Sequence, residues 1–381
     1  MRHDDEQGPG TWLPTELSRR TTLTGLGGMA AAGLAMAAGG VAAHAAFPAD
    51  GRRHGKRSRA ELVLLGTQAG PPPVGDRAGI SSALVVEGRT YVVDCGRAAV
   101  SQYMRAGLSL DSLESIFITH LHADHVADYY NFLLLGGHIP NPEGDTISGP
   151  INIYGPGPAG GLPEKHGGGT APVISPESPT PGTRELTERM HEGFAYSHNI
   201  FLRDMSIRDV RDLAQISEIK VPEHSASYRN TAPAMEPFVV MEDERVKVTA
   251  VLVPHGPVFP SFAFRFDTDY GSVTFSGDTA KSHNLVRLAR GTDILVHEAV
   301  SVENADLPEA DLEHMLQSHV RVQEVGSVAV AAGARHLVLS HISDLAEHPI
   351  DERKWSSWAK RGYRRRVTIG SDLQRFPLSR R

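Results

Sequence analysis

An α/β fold, with two mixed sheets packed face to face and helices on the outside, is the architecture this sequence predicts. Two observations carry it. Short Val-, Ile- and Phe-rich runs dominate both halves of the 381-residue chain, and segments with helical apolar spacing fall between and after them. Both halves share this strand-then-helix rhythm without a sequence repeat, so the expectation is a single four-layer domain. At 40% hydrophobic and 22% charged residues, the composition is that of a soluble globular chain.

The first 60 residues read as an address rather than as fold. Ser18-Arg19-Arg20-Thr21-Thr22-Leu23 presents a twin-arginine pair, followed by an Ala/Gly/Leu/Met stretch to about Val41 and the small-residue site Ala43-His44-Ala45. This pattern is that of a Tat-type signal peptide over 1–45, which implies the Tat export machinery as a partner and a secreted, periplasmic or envelope location. An uncleaved membrane anchor is the rival, because the apolar run approaches spanning length. The basic run Arg52 to Arg59 makes 46–60 a linker, solvated or in contact with an anionic envelope.

The catalytic domain is expected over 61–375. Glu61 to Gly66 reads as a buried strand, and the runs Ser82–Val86 and Arg89–Asp94 flank Glu87-Gly88 as a hairpin. A helix fits 98–108, a strand Leu113–Thr119, and a helix Val126–Leu135. The region 136–240, rich in Pro and Gly at its start, reads as an insertion over the site mouth, with a strand at Ile151–Tyr154 and a helix at Arg184–Ser197. Regular strands return at Arg245–Val253, Phe262–Phe266, Ser272–Ser276, Ile294–Val296 and His336–Ser340, with a helix over Val320–Ala332.

Chemistry concentrates where the fourth strand, Leu113–Thr119, ends. His120-x-His122-x-Asp124-His125 places four potential ligands at a strand-to-helix turn. Alternation along an extended segment points His120 and His122 the same way, and the following bend turns Asp124 and His125 toward a neighbouring position. His255, Asp278 and His341 each follow a later strand, so the strand ends converge on one rim. The 19 histidines fit a metal protein, whereas the one cysteine, Cys95, excludes an internal disulfide and a thiolate cage.

These motifs, with Ser276-Gly277-Asp278-Thr279 and Leu339-Ser340-His341, resemble the metallo-β-lactamase superfamily in kind and in order. The branch it looks most similar to is the ribonuclease Z-like and arylsulfatase-like one, on the strings Leu64-Leu65-Gly66-Thr67, Val93-Asp94-Cys95-Gly96, Ile153-Tyr154-Gly155-Pro156 and His297-Glu298-Ala299. The resemblance implies an αββα sandwich with two divalent metal ions at one edge. His120, His122 and His255 would hold the first ion, Asp124, His125 and His341 the second, and Asp278 would bridge them. Nitrogen and oxygen donors favour zinc, with manganese or iron as alternatives. An Asp instead of Cys at the bridging position argues against the antibiotic-cleaving type.

Such metals, about 3.5–4 Å apart, activate a shared water and polarise the oxygen under attack. Asp124 is expected to orient that water. His319, paired with Glu298, is the expected proton donor to the leaving oxygen, although Val320-Arg321 beside it depart from the family's small hydroxyl residues. Asp94 is expected to orient a ligand histidine, Cys95 to be a small buried hydrophobe, and His138, His166, His191, His198, His224, His283 and His336 to lie outside the rim. The expected activity is hydrolysis of a phosphodiester or sulfate ester of a small molecule. Carboxylic ester, lactone or β-lactam hydrolysis is the alternative, and non-catalytic metal binding a third reading. Transfer RNA is not the expected substrate of an exported chain with net charge −7 and no evident basic arm. A homodimer is compatible with the sequence.

Overall fold

The strand alternation expected from the sequence sets both faces of the first sheet. In a computed structural model that describes residues 58–139, 141–205 and 207–380, Leu62 and Leu64 enter one buried cluster while Val63 and Leu65 enter another on the opposite face. The signal-peptide reading, and all but the end of the linker reading, lie outside the described residues. Lys56–Arg381 forms one compact unit. No described helix is long and apolar enough to cross a membrane.

The chain runs through β1 (Ala60–Gly66), β2 (Ser81–Val86), β3 (Arg89–Val93), α1 (Ala99–Arg105), β4 (Leu113–Phe117), α2 (Ala123–Val126), α3 (Tyr129–Leu134) and β5 (Ile151–Pro156). It continues through α4 (Thr183–Gly193), α5 (Ala195–Asp204), β6 (Ala214–Ile219), β7 (Phe238–Glu242), β8 (Val246–Leu252), β9 (Phe262–Thr268), β10 (Gly271–Phe275) and α6 (His283–Leu288). The last part holds β11 (Ile294–Ser301), α7 (Glu309–Leu316), α8 (Val325–Ala332), β12 (His336–Asp344), α9 (Glu352–Ala359), β13 (Arg366–Ile369) and β14 (Arg375–Leu378).

Two seven-stranded mixed sheets result, ordered β14-β1-β2-β3-β4-β5-β6 and β13-β12-β11-β10-β9-β8-β7. Between them Phe117 of the first sheet meets Phe264 and Phe266 of the second, with ring centroids 5.6 and 5.0 Å apart. On the far face of the first sheet Tyr103 of α1 and Phe132 of α3 join Val63, Leu65 and Val92 in an outer core. Helices α6, α8 and α9 pack on the second sheet, burying Leu285, Val325 and Trp355. These are the four layers of an αββα sandwich.

The Glu87-Gly88 hairpin forms as expected, with φ of 50° and 83° at the two turn residues and Val86 opposite Arg89. Three expected helices are divided or shortened. The Val126–Leu135 helix breaks at Asp128, whose carboxylate accepts the Val100 N–H at 2.7 Å while its own N–H donates to the Cys95 carbonyl. The Arg184–Ser197 helix divides at Phe194 and runs on to Asp204. The helix expected from Val320 starts at Val325, because 320–322 lies extended along β11, exchanging backbone bonds with Val300. The 136–240 region contributes β5, β6 and β7 to the sheets in addition to its loops.

One irregularity matters for the site. Along the parallel β11–β12 pair, His297 faces Leu339 and then Ala299 faces Ile342, so Glu298 alone stands opposite Ser340 and His341. A bulge of this kind re-aims side chains locally.

Candidate metal centre

The ligands converge because strands of both sheets end at one edge. The Phe262 N–H donates to the Thr119 carbonyl at 3.0 Å, joining the start of β9 to the residue before His120. Asp278 follows Gly277, which has φ of 58° and whose added Cβ would lie 2.4 Å from the Phe262 carbonyl oxygen. Glycine is therefore needed there to turn the chain and present Asp278. His341 sits in the bulge with φ of 54°, a left-handed backbone that costs a non-glycine residue free energy and is typical of functional sites.

All the sequence-predicted ligands come together. His255 Nε2 lies 3.2 Å from His122 Nδ1, and His125 Nε2 lies 3.2 Å from His341 Nε2. Two nitrogens bound to one tetrahedral zinc are separated by roughly 3.3 Å, given Zn–N bonds of about 2.0–2.1 Å. Asp278 stands between the groups: its carboxylate is 3.4 Å from His125, 3.3 Å from His341, 3.7 Å from His255 and 3.9 Å from His120. Asp124 Oδ2 is 3.2 Å from His341 and 3.5 Å from His125. The sets His120/His122/His255 and Asp124/His125/His341 each close tightly enough to hold one ion.

Electrostatics fit a cation as well. Burial pushes His120 well below the usual imidazole value, helped by the neighbouring His125 and His255. It also lowers His122, and takes His255 to about 4. Their lone pairs are thus available at neutral pH, as metal ligation requires. Burial would raise Asp124 and Asp278, but His341 and His125 hold Asp124 at about 2 and Asp278 well below the ordinary carboxylate value. Burial would likewise lower His125, yet the charges of Asp278 and Asp94 hold it well above its ordinary value. The same anionic pocket that retains a proton on His125 would retain a metal in its place. His120 Nε2 and Asp278 Oδ1, both buried, have no hydrogen-bond partner, as expected of atoms that face an ion.

The supporting residues are also in place. Asp94 Oδ2 lies 2.9 Å from His125 Nδ1, and its carboxylate accepts the Thr119 N–H and hydroxyl. His255 Nδ1 donates to the Ser318 carbonyl at 3.0 Å, which leaves Nε2 facing the cluster. The Gly70 N–H reaches Asp124 Oδ2 at 3.1 Å. Sequence reasoning missed Thr119, Gly70 and Ser318. Thr119 was adjacent to the motif, whereas the other two act through backbone atoms that no residue type announces.

His319 Nδ1 lies 3.4 Å from Glu298 Oε2, while Glu298 Oε1 accepts the Val320 N–H at 2.8 Å. Burial alone would lower His319, but the Glu298 charge holds it up to about 9. Its ring centroid is 5.1 Å from that of His255, beside the cluster. Cys95 is fully buried in the outer core, its thiol pushed up by burial. His191 and His198 flank Tyr130, whose hydroxyl is 2.7 Å from His191 and 2.8 Å from His198, and His138 packs on His198 with ring centroids 5.0 Å apart. They take no part in the rim.

A four-layer αββα sandwich whose sheet edge carries a His/Asp cluster able to hold two ions defines a class of metal-dependent hydrolases. The chain belongs to the metallo-β-lactamase superfamily: residues 75–140 match the metallo-beta-lactamase superfamily model and residues 182–342 the beta-lactamase superfamily domain. It is 29% identical over 319 residues to ribonuclease Z of Mycobacterium bovis, covering 84% of this chain and 98% of that protein. Among solved structures it resembles the short form of human tRNase Z, with TM-score 0.54 and 23% identity over 84% of this chain and 99% of that one. It also resembles a diphosphatase from the PhnP family, with TM-score 0.51 and 18% identity over 85% and 100% of the two chains. The chain is thus a metal-dependent, ribonuclease Z-like hydrolase of this superfamily.

Proposed function

We propose that this chain hydrolyses phosphodiesters or sulfate esters of small molecules at a two-ion centre, with zinc as the resident metal. The observation that carries this reading is the Glu298–His319 pair, 3.4 Å apart beside the ligand cluster. Divalent ions bound there would acidify a water and polarise the oxygen under attack. Asp124, ionised far below neutral pH and fixed by the Gly70 N–H, orients the attacking water. The water oxygen bonds to phosphorus or sulfur, and the bond to the leaving oxygen breaks with its electron pair passing to that oxygen. His319, kept protonated by Glu298, gives the leaving oxygen a proton and is reprotonated by the one the water loses. An alkoxide or phenoxide departing from an oxyacid centre benefits from such a donor, which favours these esters over carbonyl substrates.

The ribonuclease Z and diphosphatase names of the similar proteins support phosphoryl chemistry. Twin arginines Arg19-Arg20 and the following Ala/Gly-rich run support export by the Tat route, testable by loss of the extracytoplasmic form in Arg19→Lys/Arg20→Lys. For the chemistry, purified protein supplied with zinc or manganese is expected to hydrolyse an aryl phosphodiester or an aryl sulfate, and His122→Ala to abolish it. Turnover of lactones or nitrocefin with neither aryl ester cleaved would overturn the reading.

A further inference from the structure

The cluster opens on two compartments. The larger, of 690 Å³, contains His319, Glu298 and Asp124 and is walled by Pro71, Val300, Met315 and Leu345. The smaller, of 310 Å³, is walled by Leu121, Val126, Leu186, Tyr228, Phe259 and prolines of the 156–181 segment. His122 lines both, and among the described residues neither is lined by Lys or Arg. The walls also touch each other: His166, within the loop that bounds the smaller compartment, stacks on His314 of α7 with ring centroids 3.9 Å apart. Met315, next to His314, belongs to the larger wall.

This layout assigns the two sides of a substrate. A reacting centre held beside His122 has the proton donor His319 on the larger side, so the leaving group lies there. The other substituent is then directed into the smaller, apolar side. A sulfate monoester has one organic substituent and leaves that side empty, whereas a phosphodiester has two and fills both. An apolar cavity of about 150 Å³ already admits a benzene-sized group, so 310 Å³ accepts an aryl or short alkyl group. A nucleic-acid strand needs a cationic track for its successive phosphates. The compartments offer none, and α7 at the rim carries Glu309, Asp311 and Glu313.

Building on the phosphodiester-or-sulfate reading above, we infer that the substrate is a small diorganyl phosphate whose non-leaving substituent is an uncharged aryl or alkyl group seated against Tyr228 and Phe259. The test is a series of 4-nitrophenyl phosphodiesters whose second substituent is methyl, ethyl, butyl, hexyl or phenyl. With the wild-type protein, kcat/KM should rise about fourfold per added methylene until the compartment fills, with phenyl near the top. Ala159→Arg, which puts a guanidinium into the smaller compartment, should flatten the series. A flat wild-type series, or 4-nitrophenyl sulfate turned over faster than every diester of the series, overturns the inference while leaving the phosphodiester-or-sulfate reading standing. A single-stranded oligonucleotide turned over faster than every diester overturns both the inference and the small-molecule part of that reading. The wild-type series decides the matter without the variant. Failure to cleave any diester or the sulfate overturns the reading on which the inference rests.

Discussion

Asp94 Oδ2 lies 2.9 Å from Nδ1 of His125, and the same carboxylate is pinned by the backbone and hydroxyl of Thr119. The pair fixes the ring so that Nε2 points at the cluster. Asp94→Asn keeps the shape but weakens that orientation. Metal affinity measured by chelator competition should fall about 10- to 100-fold while the protein stays folded. An unchanged affinity would remove Asp94 from this role.

Glu298→Gln addresses the proton donor proposed above, His319. His319 is held up to about 9 by the Glu298 carboxylate, and a donor must be protonated, so kcat/KM falls as pH rises through that value. Removing the carboxylate's charge lowers the value, and the alkaline limb should move to lower pH with metal content unchanged. A limb that stays put in pH–rate profiles assigns the proton donation to some other group.

Strand ends make most of this site legible in the sequence. His120 to His125 announced themselves by spacing, and His255, Asp278 and His341 by following buried strands. What could not be read was whatever acts through the backbone or through register. The β11–β12 bulge leaves no mark in Ser340-His341, and the extended course of 320–322 was masked by apolar residues that suit a helix equally well. Edge strand β14, which pairs with β1 more than 300 residues away in sequence, has too little local signal in Arg375–Leu378 to be seen alone.

Metal should stabilise the fold as well as act in catalysis, because His120 Nε2 and Asp278 Oδ1 are buried without hydrogen-bond partners from the protein. Zinc at a free concentration of 100 times its Kd should add about 2.7 kcal/mol, read as a concentration-dependent rise in Tm that chelator reverses. A Tm indifferent to zinc argues against an ion at these residues.

Gly277→Ala tests the turn that presents Asp278. The position has φ of 58°, and the new methyl would meet the Phe262 carbonyl. The left-handed backbone alone costs an alanine about 1–2 kcal/mol, so a loss of at least that size is expected in chemical denaturation, with metal affinity falling in parallel. Stability and affinity both at wild-type level would show that the turn tolerates a side chain.

Far from the site, His336 gives a stability test with a defined sign. Burial and the Arg366 charge lower it to about 4, while its Nε2 and the Thr368 hydroxyl are 2.9 Å apart. Its unfolded value is about 6.5, so between these values the unfolded chain binds a proton that the folded chain does not. Stability is full above pH 6.5 and declines as the pH falls toward 4. His336→Gln should shallow that decline in denaturation curves recorded across this window, and an identical slope in both proteins excludes the assignment.

The bulge that sets Glu298 against Ser340 and His341 makes one hinge pin serve two tools. Because successive strand residues face opposite ways, restoring regular register by deleting one residue there turns either His341 or Glu298 out of the cleft. The Glu298 carboxylate and the His341 imidazole therefore cannot drift apart gradually. A one-residue change of register separates them in a single step.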